Sequence, residues 1–147
     1  MDDIRGSARC PIARSLDVIG DRWTLLIVRD ALAGRARFSE FRESLGIPRD
    51  VLTSRLETLV SGGVLESRSY RAQGSRSRDE YVLTDAGRDL IVVLGALGGW
   101  GTRHRPHDEK PLVSFTDGSG TLVEPRFVGA AGPLSTSEVF ATRSQVE

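Results

Sequence analysis

Four segments near the start of the chain repeat apolar residues at the three- and four-residue spacing of amphipathic helices. Glycine or proline separates each segment from the next, as expected of residues that end or open helices. The pattern predicts helices at 11–19, 23–32 and 38–45, with a fourth that begins at residue 48. The apolar positions of the first three are Ile12, Leu16, Ile19, Trp23, Leu26, Ile27, Ala31, Phe38, Phe41 and Leu45, and the two phenylalanines are expected in the core.

The fourth predicted helix has one apolar and one polar face. Leu52, Leu56 and Leu59 form an inward stripe. Hydroxyl groups and arginine mark the outward side, which carries Arg49, Asp50, Thr53, Ser54, Glu57 and Thr58, with Arg55 on the flank. Short hydroxyl side chains and arginine suit a helix in a DNA major groove, since they reach base edges and phosphates without steric conflict. An ordinary solvated face is the alternative.

A hairpin rich in arginine is predicted after Gly62-Gly63. Residues 64–70 alternate as a strand, residues 80–83 form a second strand, and the glycine and serine of 71–79 make a flexible tip. Its cations are Arg68, Arg71, Arg76 and Arg78. Directly after a threonine-rich helix, such a hairpin is the wing that lies on phosphates or enters the minor groove. A merely solubilising loop is the alternative.

A long apolar helix is predicted from Asp85 to about Arg103, with Thr84 as its N-cap. It would span roughly 28 Å, more than one side of a small winged domain requires. The surplus apolar surface predicts a second copy of the chain as partner. Four glycines are expected to bend or end this helix, or else to permit close helix crossing: Gly95, Gly98, Gly99 and Gly101.

This order of elements predicts a mainly α protein with a small β wing (α+β), namely a winged helix-turn-helix homodimer that binds double-stranded DNA. The residues expected at DNA are Arg37, Ser39, Arg49, Asp50, Thr53, Ser54, Arg55, Thr58, Arg71, Arg76 and Arg78. Arg49, Thr53 and Ser54 are expected to discriminate between base sequences, and the wing arginines to bind DNA of any sequence. The competing prediction is a winged-helix module that binds proteins and not DNA.

Composition and the absence of certain motifs argue against membrane, secreted and enzymatic functions. No apolar run approaches the roughly 18–20 residues of a membrane span, and the start at Met1-Asp2-Asp3 has no signal-peptide pattern. With a single cysteine, the chain is expected to be cytoplasmic and to lack membrane contact. It shows no phosphate-binding loop or nucleophile elbow, so neither enzymatic activity nor a cofactor is expected.

The chain has a net charge of zero, but its two parts carry net charges of opposite sign. Residues 1–107 contain 17 arginines and 14 acidic residues, whereas residues 108–147 contain 3 basic and 6 acidic residues. The division predicts a DNA-binding and dimerisation domain over 1–107 and a separate tail over 108–147. Arginine also supplies nearly every cation, which favours bidentate phosphate and guanine contacts; genomic base composition explains the same bias.

Five segments resemble the HxlR-type winged-helix regulators. They are 10–24, 37–41, 52–56, 80–87 and 97–100, in the family's order. The resemblance implies a dimeric bacterial transcription regulator, often a repressor, related in architecture to MarR-type proteins and paired through its first and last helices. The residues expected at that contact are Ile12, Leu16, Leu90, Val93, Leu94, Leu97 and Trp100. The wing departs from the family pattern, because Ser75-Arg76-Ser77-Arg78 stands where proline is common.

Cys10 is a candidate sensor. It precedes Pro11 at the start of the first helix, where the helix dipole and the charges of Arg9 and Arg14 favour a thiolate. In several HxlR-type proteins the matching cysteine senses oxidants, quinones or aldehydes. A structural cysteine buried at the dimer contact is the alternative. A small-molecule effector near Trp23, Phe38 and Trp100 is also compatible with a regulator, although such aromatic residues are more often core.

The tail is predicted to be rich in β structure. Strands are expected at 112–116 and 122–128, joined through residues 117–120. Residues 119–120 and 128–134 resemble the knuckles of the zinc-ribbon-like extension found in some longer HxlR-type proteins, with the cysteines replaced. Zinc needs cysteine or histidine ligands, so a ribbon without metal is expected, packed on the winged domain or on the second subunit; a disordered tail is the alternative. His104 and His107 alone are not expected to bind metal.

Overall fold

Five helices and an antiparallel hairpin make up most of the described chain. The structure is a computed structural model and describes residues 7–71, 74 and 76–142. The elements are α1 (Pro11–Ile19), α2 (Arg22–Leu32), α3 (Phe38–Leu45), α4 (Arg49–Ser61), β1 (Leu65–Tyr70), β2 (Arg78–Leu83), α5 (Asp85–His104), β3 (Val128–Gly129) and β4 (Gly132–Pro133), with 3-10 turns at Ser7–Arg9 and Thr136–Glu138. This order confirms the predicted winged helix of the α+β class.

Local sequence sets the limits of the first four helices. Asp21 caps α2 by accepting a hydrogen bond from the Trp23 N–H at 2.8 Å. α3 ends at Gly46, which takes a left-handed φ of 61° and donates its N–H to the Arg42 carbonyl oxygen at 3.0 Å. α4 begins directly after Pro48. The helix boundaries predicted from glycine and proline are therefore confirmed to within a residue or so.

The core of the winged part is built from aliphatic and aromatic side chains of α2, α3 and α4. Leu52, Leu56 and Leu59 of α4 are all buried, which confirms the predicted inward stripe. The other fully buried large apolar side chains are Ile27, Val28, Phe41, Ile47 and Leu65. Each such leucine stabilises the fold by about 1.5–3 kcal/mol, so the stripe fixes which side of α4 faces solvent.

The wing is the hairpin of β1 and β2. Its antiparallel register runs from Leu65 opposite Leu83 to Tyr70 opposite Arg78. The backbone before α3 joins it, because the Tyr81 N–H donates to the Ala36 carbonyl oxygen at 2.7 Å and Arg37 forms a bridge with Glu80. The start of α3 is thereby fixed beside the wing. Residues 72, 73 and 75 of the predicted tip lie outside the described residues.

The last helix begins as predicted but does not end at its glycines. The Thr84 hydroxyl accepts a hydrogen bond from the Gly87 N–H at 3.1 Å and donates one to the Gly63 carbonyl oxygen at 2.5 Å, which confirms Thr84 as the N-cap. α5 then runs without interruption to His104. The expectation that the glycines end the helix is therefore wrong. Each glycine costs about 1 kcal/mol in helix propensity, and two of the four, Gly95 and Gly98, lie against residues of the tail.

Two tail residues approach the glycine face of α5. A Cβ atom at Gly95 would lie 3.0 Å from Pro125 Cγ, and one at Gly98 would lie 3.9 Å from Phe115 Cε2. Arg103 Nη1 also lies 3.4 Å from Glu124 Oε2. The small residues thus allow the tail to lie close to the helix backbone.

The chain divides within α5 into two compact units, one up to Leu94 and one from Gly95. The sequence placed the division at residue 107, where the charge changes sign. The difference arises because the second half of α5 packs with the tail, and charge does not report that contact.

The tail contains turns in place of the two predicted strands. A single bridge pairs Thr116 with Leu122, and a second small hairpin pairs β3 with β4. The predicted strand over 122–128 is wrong as a continuous element, because Pro125 has no N–H to donate to a ladder. The turn predicted at 117–120 is present: Asp117 Oδ1 accepts hydrogen bonds from the Ser119 and Thr121 N–H groups at 2.8 and 3.1 Å.

Candidate nucleic-acid interface

The outward face of α4 is polar and exposed. Arg49, Asp50, Thr53, Ser54 and Glu57 are exposed, whereas the leucines of the same helix are buried. The helix is 13 residues long and follows α3 after a short turn. It therefore has the length and exposed face of a helix that can enter a major groove.

The threonine hydroxyls of α4 turn back to their own helix. Thr53 Oγ1 donates to the Arg49 carbonyl oxygen at 2.9 Å, and Thr58 Oγ1 donates to the Ser54 carbonyl oxygen at 3.1 Å. In this geometry the hydroxyl lone pairs and the methyl groups are what each threonine can offer a ligand. A threonine so placed accepts from an amino group of a base or contacts a thymine methyl.

Arg55 ties α4 to the start of α2. Its Nη2 donates to Asp21 Oδ2 at 3.2 Å, and its Nε lies 3.0 Å from Asp21 Oδ1, an ion-pair distance without hydrogen-bond angles. The Arg55 hydrogen bond holds the pKa of Asp21 below its usual value, assisted by the N–H of Trp23. Asp21 is also the cap of α2, so one carboxylate orients both helices. The structure thus places Arg55, expected at DNA, in a partly buried internal ion pair.

The start of α3 is held by Glu40. Its carboxylate accepts hydrogen bonds from the backbone N–H groups of Ala36 and Arg37, each at 2.9 Å. These two bonds lower the pKa of Glu40, so the side chain stays ionised as the cap. Arg37 and Ser39 are exposed at this end of the helix, beside the wing.

A cleft of about 460 Å³ lies between the starts of α3 and α4 and the wing. Its lining residues are Arg37, Phe38, Ser39, Arg49, Tyr70, Arg78, Asp79 and Tyr81. Three guanidinium groups face one carboxylate, so the cleft favours an anion. Burial raises the pKa of Tyr81, with the charges of Asp79 and Glu57 adding to the effect, so its phenol remains a neutral donor.

The wing arginines lie toward the tip of the hairpin. Arg71, Arg76 and Arg78 are exposed, and Arg78 opens β2. Arg68 is also exposed and lies 3.2 Å from Glu66 on the same strand, farther from the tip. The other three wing arginines lie near the tip, where a duplex backbone can be reached.

Most of the residues expected at a dimer contact are exposed apolar side chains. Ile12 and Leu16 of α1 are exposed, as are Val93, Leu97 and Trp100 of α5. Leu94 is different, because it is only 8% exposed and therefore belongs to the buried core; Leu90 is half-buried. The thiol of Cys10 is exposed just before α1.

Residues 18–109 match the HxlR-like helix-turn-helix family, which is well over half of the chain. The chain belongs to the HxlR-like family. It is therefore a helix-turn-helix transcription regulator, and not an enzyme. The residues that place it there span α2 to α5, including the whole of α4 and the wing.

Relatives and solved structures agree with this assignment. The HTH-type transcriptional regulator Rv3095 of Mycobacterium tuberculosis is 39% identical over 118 residues, which is 80% of this chain and 73% of the relative. The crystal structure of PA1607, a candidate transcription factor, has a TM-score of 0.80 and 38% identity and covers 95% of this chain and 99% of its own. The redox regulator HypR in its reduced form has a TM-score of 0.59 and 31% identity over 65% of this chain and 94% of its own.

Neither a metal site nor a membrane-spanning helix is found in the described part of this HxlR-like chain. In the described residues, no group of three histidine, cysteine or acidic side chains is close enough to hold a metal ion. Nor does any helix in that part of the chain have the length and hydropathy needed to cross a membrane.

Three aromatic residues of the cleft were absent from the expected DNA residues. Phe41 is buried as expected, but the same expectation is wrong for Phe38, which opens α3, is only half-buried and lies under the Arg49 guanidinium. Tyr70 and Tyr81 come from paired strands. The sequence could have indicated Tyr70 as a DNA-binding residue, because it directly precedes the arginine-rich tip. It could not have indicated Tyr81, because the approach of Tyr81 to Ala36 is a tertiary contact that no local pattern shows. An effector near Trp23, Phe38 and Trp100 stays a prediction.

Proposed function

We propose that this HxlR-like regulator binds a two-fold symmetric operator as a homodimer, with α4 in the major groove and the wing on the adjacent backbone. The observation that carries the proposal is the division of α4 into a fully buried leucine stripe and an exposed face of Arg49, Asp50, Thr53 and Ser54. The exposed wing arginines supply the sequence-independent part of the affinity. Thr53 and Ser54 of the α4 face supply the base contacts.

The exposed apolar residues of α1 and α5 support the dimer. Ile12 is 72% exposed, Leu97 51% and Trp100 49%. Exposed aliphatic and aromatic side chains of this kind are typical of surfaces that a binding partner covers. A second copy is the simplest cover, because a closed two-fold pair buries the same surface twice. In such a dimer the two α4 helices would read half-sites about one DNA turn apart.

Repression is the output that we propose for the bound dimer. HxlR-type regulators are often repressors, and a dimer seated on an operator that overlaps a promoter excludes RNA polymerase. As a regulator of bacterial type, the protein would act in the cytoplasm. A reporter gene placed under the operator should rise in expression when the regulator gene is deleted; a fall would identify an activator.

The binding test begins with selection of duplexes from a random-sequence pool, followed by fluorescence anisotropy on the enriched duplex and a scrambled one. We expect a preference of about a thousandfold for the enriched duplex and a steep fall in affinity with salt. Thr53→Ala and Ser54→Ala should reduce the preference, whereas Arg76→Ala and Arg78→Ala should weaken binding to both duplexes and lower the salt slope. Ser61→Ala, at the far end of α4, is the matched control. No binding at low salt would favour a protein-interaction module.

A response to oxidants is a second candidate function, located at Cys10. Its exposed thiol lies directly before α1, and HypR has been solved in reduced and oxidised forms at 31% and 32% identity to this chain. We propose that diamide takes two hydrogens from the Cys10 thiols of two subunits, forms a disulfide between them and changes operator affinity. Affinity should change for the wild type and not for Cys10→Ser. An equal response in both proteins would exclude Cys10.

A further inference from the structure

Arg37 and Arg49 approach one cleft from the starts of two different helices. Arg37 directly precedes α3, and Arg49 is the first residue of α4. Together with Ser39 and Arg78 they line the cleft of about 460 Å³ beside the wing. Because an arginine side chain has many rotamers, holding two of them at one place requires contacts that restrict them.

Aromatic rings supply those contacts. The Arg37 Cζ atom lies 4.6 Å from the centre of the Tyr70 ring, and the Arg49 Cζ atom lies 5.3 Å from the centre of the Phe38 ring. Both separations are within the range of cation–π attraction. Tyr70 ends β1 of the wing, and Phe38 opens α3. Each guanidinium is thus stacked on a ring from a neighbouring element.

The charge and size of the cleft fit one phosphodiester group of a duplex. Three guanidinium groups outweigh Asp79, the one acidic residue of its lining. The cleft lies between α4 and the wing, which is where the backbone passes when α4 reads the groove. A guanidinium whose face is covered by a ring still presents its N–H edges to phosphate oxygens.

We propose that Tyr70 and Phe38 are positioning residues for DNA binding, which hold Arg37 and Arg49 over this cleft so that the two arginines bind one backbone phosphate. The proposal rests on the DNA-binding function proposed above and makes it more specific. It also gives Arg49 a role different from the one expected from sequence: affinity for DNA of any sequence and not choice between bases.

The first test measures binding of Tyr70 variants to a labelled scrambled duplex at several salt concentrations. Tyr70→Leu, which removes the ring, should weaken binding roughly two- to fivefold with an unchanged salt slope, because the charge of Arg37 remains. Tyr70→Phe, which keeps the ring, should bind as the wild type does. Arg37→Ala should weaken binding and lower the slope by about one. Far-ultraviolet circular dichroism and the unfolding midpoint identify any variant that fails to fold.

A double-mutant cycle separates positioning from a general effect on the wing. In the Arg37→Ala background, Tyr70→Leu should cost nothing further, because the guanidinium that the ring holds is absent. Equal losses in both backgrounds would overturn the positioning role of Tyr70. If Tyr70→Leu fails to fold, the same cycle with Phe38→Leu and Arg49→Ala tests the second stack.

The role of Arg49 is tested on the enriched and scrambled duplexes together. Arg49→Ala should weaken binding to both by the same factor, while Thr53→Ala changes their ratio. A change of ratio for Arg49→Ala would overturn its assignment to the backbone. A wild type that binds neither duplex would overturn the DNA-binding function itself, whereas a wild type that binds normally with unaffected Tyr70→Leu and Phe38→Leu variants would overturn only the positioning role.

Discussion

The unit up to Leu94 and the unit from Gly95 differ in where their apolar side chains lie. The first buries Ile27, Phe41 and Leu56 almost completely. In the second, over the described residues 95–142, apolar side chains other than glycine are half-buried at most, and Leu112 and Phe140 are 89% and 80% exposed. The first unit therefore has a hydrophobic core of its own, whereas the second must be held by other interactions.

Short-range polar contacts hold the second unit. Asp117 accepts hydrogen bonds from Ser119 and Thr121, and the Ser135 N–H donates to Glu138 Oε2 at 2.8 Å. Such turns fix the backbone locally without burying much apolar surface. The comparison teaches that a helix-turn-helix unit built on a hydrophobic core can carry an appended unit built on turns, and that mutations should affect the two units very differently.

The largest expected difference is between leucines of the two units. Leu56→Ala should lower the free energy of unfolding by about 2–5 kcal/mol, because it leaves a cavity at a side chain that is 1% exposed. The same change at Leu122, which is 72% exposed, should cost less than about 0.5 kcal/mol. Urea unfolding of both variants measures the difference. A large loss at Leu122 would show that the tail is covered by a second subunit.

The next largest effect is expected at Gly87 of the first unit. A methyl group there would overlap the Val64 carbonyl oxygen and press on Leu83 Cδ2. Gly87→Ala should destabilise the protein by about 1–3 kcal/mol, the usual cost of overpacking, and thermal unfolding measures it. Gly118→Ala in the second unit, where nothing lies near the added atom, is the matched control. Equal effects at the two glycines would contradict the close approach of α5 to the Val64 carbonyl.

The two units should also differ in how much a glutamate of each contributes to the loss of stability in acid. Hydrogen bonds from Ala36 and Arg37 hold the pKa of Glu40 below its usual value of 4.5. The stabilisation by Glu40 is therefore complete above that pH and lost as the pH falls through the lower, folded value. Glu40→Gln should remove about 1 kcal/mol at neutral pH and flatten the fall in stability in acid. Glu138 is the comparison, because its pKa is also lowered but the side chain is fully exposed: Glu138→Gln should change the acid profile less than Glu40→Gln does.

Sequence predicted the first unit better than the second for a physical reason. Helices such as α4 bury one face, so Leu52, Leu56 and Leu59 appear in the sequence as a periodic stripe, and Gly46 and Pro48 mark the boundaries. The tail has no such periodic stripe: its turn at 117–120 was predicted, but the strand expected over 122–128 is interrupted at Pro125, which has no N–H to donate. Only part of the cleft could be predicted from the sequence. Its arginines were predicted as DNA-binding residues, but the contact of Arg37 with the Tyr70 ring forms only where the wing meets the start of α3.

The smallest expected effect is a difference in stability between two glycine variants of α5, which tests whether packing of the tail requires glycine at Gly95. Gly101→Ala places its methyl in open space and should stabilise the helix by about 1 kcal/mol through propensity alone. Gly95→Ala gains the same propensity, but its methyl would lie 3.0 Å from Pro125 Cγ and 3.2 Å from Pro125 Cδ, so Pro125 must shift. We therefore expect a smaller gain at Gly95 than at Gly101, measured as the difference in unfolding free energy between the two variants. In a chain cut before Pro111, with the tail removed, the two gains should become equal. Equal gains in the full chain would mean that Pro125 yields without cost and that the tail does not require glycine at this position.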